Sequence, residues 1–70
     1  MYIIMEIQQS SEGVTSTIVT TKDNKAEADS TYYSILASAA LSSLPIHGAV
    51  LMDECGFPII RGVYDRRDQN

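Results

Sequence analysis

The sequence contains no tryptophan, one cysteine, one histidine, one phenylalanine and two prolines. With Cys55 alone, an intramolecular disulfide is excluded. His47 is the sole imidazole, so a Cys/His zinc site within one chain has too few ligands. Cations are also scarce: five Lys and Arg stand against nine Asp and Glu, a formal net charge of −4. An acidic chain repels phosphate backbones, which argues against nucleic acid as a partner. The three arginines near the C-terminal end, Arg61, Arg66 and Arg67, are interleaved with Asp65 and Asp68 and read as a solvated tail. Long apolar runs are missing. Met1-Tyr2-Ile3-Ile4-Met5 ends at Glu6 with no basic segment before it, too short for a signal h-region or a membrane span. A cytoplasmic location without membrane attachment is therefore expected, which suits an unpaired thiol.

What is present is a folded composition, 44% hydrophobic and 20% charged, over 70 residues. That length makes one domain, residues 1–70. So small a domain buries only roughly 60–65% of its unfolded surface, and self-association is one of the few remaining sources of stability.

Residues 1–8 alternate, with Met1, Ile3, Met5 and Ile7 on one side and Tyr2, Ile4, Glu6 and Gln8 on the other, which predicts a strand. Gln9 to Gly13 forms a turn. Residues 14–21, VTSTIVTT, are mostly β-branched and predict a second, Thr-rich strand suited to a sheet edge. A helix is predicted over 24–44. Asp23 or Asn24 caps it, Glu27 lies in its first turn and Pro45 stops it. Ala28, Tyr32, Ile35, Leu36 and Ala39 share one stripe, with Glu27, Ser30, Ser34 and Ser38 opposite. Strands at 46–53 and 57–64 follow, joined by the turn Asp53-Glu54-Cys55-Gly56, and Pro58 places the last strand at an edge. The apolar-rich first and third strands belong in the centre. The resulting expectation is an α+β, two-layer ββαββ fold: a four-stranded antiparallel sheet of order 2-1-3-4 with one helix on one face.

One helix leaves one sheet face open. Placing Met1, Ile3, Met5 and Ile7 beneath the helix puts Tyr2, Ile4, Ala49 and Leu51 on the open face, with either Ile60 and Tyr64 or Ile59 and Val63. A second apolar surface lies on the helix flank, at Tyr33, Ala37, Ala40, Leu41 and Leu44. Exposed apolar surface of this extent marks an interface, and a homodimer is expected.

Catalytic chemistry finds no footing. His47 near the start of the third strand and Cys55 beyond its end fall about 25 Å apart, too far for a Cys–His dyad within one chain. Asp53 and Glu54 are neighbours in a turn with no cleft between them. Ser34, Ser38, Ser42 and Ser43 lack a nucleophile elbow and a base, and no Gly-rich loop precedes the helix to cradle phosphate. No enzyme activity, catalytic residue, cofactor or metal is predicted.

Two runs, Tyr32-Tyr33-Ser34-Ile35-Leu36-Ala37-Ser38-Ala39-Ala40-Leu41-Ser42-Ser43-Leu44-Pro45-Ile46-His47-Gly48-Ala49-Val50-Leu51 and the opening Met1-Tyr2-Ile3-Ile4-Met5-Glu6-Ile7-Gln8, carry a resemblance. They resemble small uncharacterised phage- and prophage-associated proteins of gut Gram-positive bacteria. The resemblance spans most of the chain and brings no catalytic motif. It implies an accessory or structural protein of a mobile element, with a protein partner encoded nearby. The expected function is a non-enzymatic, self-associating interaction protein. The competing reading is a small single-stranded nucleic-acid-binding or regulatory module that stacks bases on Tyr2 and Tyr64 of an open sheet face.

Overall fold

A computed structural model describes residues 1–67. In chain order the elements are β1 (Tyr2–Gln9), β2 (Thr15–Lys22), α1 (Lys25–Leu41), β3 (Ile46–Asp53) and β4 (Pro58–Asp65). The strands form one antiparallel sheet of order β2-β1-β3-β4, and the helix packs on one face of it. This is the expected ββαββ architecture, with every strand within one residue of its predicted span.

Both hairpins turn in the same way. In each, a three-residue loop ends in a glycine with positive φ, Gly13 at 85° and Gly56 at 84°. The Gly13 N–H donates to the Ser10 carbonyl at 2.9 Å, and the Gly56 N–H to the Asp53 carbonyl at 3.0 Å. A side chain at the loop's start then collects two further amides. Ser10 Oγ accepts from Glu12 and Val14, both at 3.3 Å. Asp53 Oδ1 accepts from Cys55 and Phe57, both at 2.9 Å. This is a tight turn followed by a left-handed residue, a geometry that fixes strand register.

Asn24 caps the helix. Its Oδ1 accepts from the Glu27 amide at 2.8 Å while its Nδ2 donates to Glu27 Oε1 at 3.0 Å, so cap and third residue support each other. The helix ends at Leu41, three residues short of the predicted limit, because Ser42 is already extended. The residue ahead of a proline is also pushed out of helical geometry, which favours an extended lead-in to β3. Arg66 gathers carbonyls at this end: its Nη2 donates to Ala39 at 2.6 Å and Ala40 at 3.3 Å of the last helical turn, and its Nη1 donates to Leu44 at 3.2 Å in the link to β3. Arg66 is therefore a half-buried clasp on the helix terminus and not part of a solvated tail. Arg67 pairs with Asp65 at 2.7 Å, and Asp68 lies outside the described residues.

The core corrects one expectation. Ala28, Tyr32 and Ala39 of the helix are buried together with Ile4, Ala49 and Leu51 of the sheet, with Tyr2, Ile35 and Leu36 packed around most of this cluster. The helix thus covers the side of β1 that carries Tyr2 and Ile4, and the side of β3 that carries Ala49 and Leu51. These four residues belong to the covered face and not to the open one. The register carries the consequence outward: Ile60 and Tyr64 lie on the helix side, across from Leu51 and His47, while Val63 lies on the open side, across from Gly48. The polar residues Glu6 and Gln8 share the covered face, and they are tolerated there because the Glu6 carboxylate accepts from both His47 and Gln8.

Candidate interaction surface and the polar clasp beneath the helix

The open face is built by alternate residues of four strands. β1 contributes Ile3, Met5 and Ile7, and β3 contributes Val50 and Met52, paired with Met5 and Ile3. β2 adds Val19, directly across from Met5, and β4 adds Val63. Threonines on β2 and Arg61 and Asp65 on β4 complete the margins. An apolar centre with a polar rim is the anatomy of a protein interface. No aromatic ring lies among the strand residues of this face: Tyr2 is under the helix edge and Tyr64 is on the helix side.

The helix flank is exposed as expected. Tyr33 and Leu41 are 55% and 91% exposed, and Ala37 and Ala40 are exposed with them. Tyr33 stands edge-on to Tyr32, with ring centroids 5.0 Å apart, which orients its ring without burying it.

His47 is buried, and sequence reasoning missed its partner. Its Nε2 lies 2.7 Å from Glu6 Oε2, and Gln8 Nε2 donates to the same oxygen at 2.9 Å. With the carboxylate as acceptor, the imidazole carries its proton on Nε2. The 3.5 Å approach of Gln8 Nε2 to His47 Nε2 then sets two donors side by side and is not a bond. Nδ1 is buried with no hydrogen-bond partner among the described residues. The hydrogen bond from His47 holds the Glu6 carboxyl below its ordinary 4.5, against burial, which pushes it up. Glu6 and His47 are 41 positions apart. The available signal was the pairing of β1 with β3, which sets Gln8 across from His47 with Glu6 one step along the same face.

The remaining polar candidates stay apart. Cys55 is an exposed thiol in the second hairpin loop, beyond the end of β3 opposite to His47. Among the described residues, no cluster of three or more His, Cys, Asp or Glu side chains is placed to hold a metal. A shallow cleft of about 370 Å³ between the first hairpin loop and β4's end is lined by Ser10, Ser43, Arg66 and Arg67, among others. Its guanidinium groups are engaged, Arg66 with helix carbonyls and Arg67 with Asp65, which Arg67 draws down to a pKa of about 2. No helix among the described residues is long and apolar enough to cross a membrane. No family model, curated protein or solved structure matches this chain.

Proposed function

We propose that the protein is a non-enzymatic interaction module that associates with a second copy of itself by stacking the open sheet faces. One observation carries this reading: a four-stranded sheet with a central apolar patch of Ile3, Met5, Ile7, Val50 and Met52, over which the described residues place no second layer. Four strands of eight residues at strand spacings of about 4.8 Å and rises of about 3.3 Å present roughly 500 Å². Two such faces bury about 1,000 Å² together, the lower bound for a specific interface. Sheets packed face to face are a common layer solution, with side chains interdigitating about 10 Å apart. The resemblance to phage-associated proteins adds context for such an accessory role and for a partner encoded nearby.

Nucleic-acid binding on this face has lost its aromatic support, since neither Tyr2 nor Tyr64 is on it and Arg61 is the only cation contributed by its strands. The test is solution mass by light scattering over a concentration series, comparing the wild type with Met5→Asp and Tyr33→Asp. The expected result is association weakened by Met5→Asp and unchanged by Tyr33→Asp. Association lost only with Tyr33→Asp moves the interface to the helix flank and overturns the stacked-face reading.

A further inference from the structure

β2 and β4 are both sheet edges, but only β4 is defended. It begins at Pro58, and its register against β3 is interrupted at Leu51/Met52. Proline and bulges are the usual devices that keep an edge from accepting another strand. β2 has neither. Its eight residues pair with β1 without a break, it contains no proline, and its only charge is the terminal Lys22.

The outward hydrogen-bonding groups of this edge can be identified. The Ser10 amide bonds the Val14 carbonyl, and bonded pairs alternate along an antiparallel ladder. Ser16, Ile18, Thr20 and Lys22 therefore bond β1, while Thr15, Thr17, Val19 and Thr21 turn their amides and carbonyls away from the sheet. The side chains beside them are uncovered on both faces, with Ile18 55% exposed on the helix side and Val19 56% exposed on the open side. The helix is seated over the centre of the sheet, so its mass does not shield this margin.

We infer that β2 is a strand-addition site, and that its occupant is β2 of a second copy, running antiparallel about a two-fold axis through Ile18. Backbone complementarity selects this occupant. Outward groups must meet outward groups, so the register joins Thr15 to Thr21 and Thr17 to Val19 in both directions and satisfies all four outward residues of each copy. The same register sets Ile18 against Ile18 and Ser16 against Thr20, and faces Lys22 with Val14. No like charges oppose one another, and β-branched pairs of this kind stabilise a ladder. The axis is perpendicular to the sheet. Both helices then fall on one side, and the two open faces join into one wider surface. This pairing uses edge backbone and does not depend on the stacked-face reading.

The experiment exploits the residue that meets itself. Ile18→Lys and Ile18→Glu are prepared separately and mixed in equal amounts, and mass is measured by light scattering beside the wild type, with circular dichroism to confirm the fold. Like charges directly opposite oppose pairing, so each variant alone is expected to dimerise at least about ten-fold more weakly, and the mixture to recover as a heterodimer. Thr17→Pro removes only an outward amide and is expected to fold and to lose the same association. Met5→Asp, on the open face, is expected to leave edge pairing intact, so failure of the stacked face and failure of the edge read out separately. Unchanged association of both Ile18 variants overturns the proposal. So does loss in both without recovery on mixing. A wild-type chain monomeric to about 1 mM also overturns it, and would leave the edge to an extended segment of another protein.

Discussion

The two hairpins share one turn design and differ in everything that follows it. β1–β2 and β3–β4 are each closed by a three-residue loop with a left-handed glycine and a capping oxygen, Ser10 Oγ or Asp53 Oδ1. Beyond the loop, β4 carries a proline and a register shift while β2 continues unbroken, Thr-rich and exposed. The lesson is that local turn chemistry sets register but says nothing about what a strand's outer edge is for. That property lies in the residues that defend the edge or leave it bare.

The asymmetry breaks most sharply at Gly48, in the second hairpin. A Cβ there would lie 2.4 Å from the Gly62 carbonyl oxygen and 2.7 Å from Val63 Cα, both backbone atoms that cannot swing aside. Gly48→Ala is expected to cost about 3 kcal/mol, read as a drop in urea midpoint. Thr17→Ala, exposed in the first hairpin, is expected to stay within about 0.5 kcal/mol.

A smaller effect is expected where the hairpins are joined. Glu6→Ala leaves the buried His47 donor without its acceptor and should cost about 2 kcal/mol at neutral pH. The folded Glu6 carboxyl titrates below its ordinary 4.5. Its stabilising contribution is therefore present above that value and is lost as pH falls through the lower, folded one. Denaturation midpoints measured from neutral pH down into the acid range should fall for the wild type, with a shallower fall for Glu6→Gln.

The shared turn gives a matched pair. Gly13→Ala and Gly56→Ala each force a side chain into left-handed backbone, with open space around the added carbon. Each should cost about 1 kcal/mol, and the two should agree closely. Unequal costs measured by thermal melts would show that the loops differ in more than sequence. The smallest effect is expected from Pro58→Thr, since Phe57 bonds Asp53 and alternation points the next residue's nitrogen outward. Stability should change by less than about 0.5 kcal/mol. A second association mode gained by this variant would confirm that proline defends β4.

Much of this was legible from residues alone. The β-branched run from Val14, the glycines at the loop ends, Asn24 with Glu27 and the apolar stripe through Tyr32 each state a local preference that the fold satisfies. The early helix end was not legible, because the Arg66 side chain that meets carbonyls there comes from more than twenty positions away. The covered face of β1 was misread for a similar reason. Ile3, Met5 and Ile7 form the more apolar side, whereas Tyr2 and Ile4 share theirs with Glu6 and Gln8, and a polar residue weighs against burial when taken by itself.

The sequence by itself determined five elements, their order in the sheet, both turns and a helix cap at Asp23 or Asn24, since these follow from propensity, period and short-range hydrogen bonds. Only the tertiary structure decided which face the helix covers and which edge stays open. Period two divides a strand into two faces without choosing between them. The choice fell to contacts between distant residues: Ala28 and Tyr32 over a sheet floored by Ile4, Ala49 and Leu51, and a Glu6–His47 bond that makes the more polar side of β1 fit to bury.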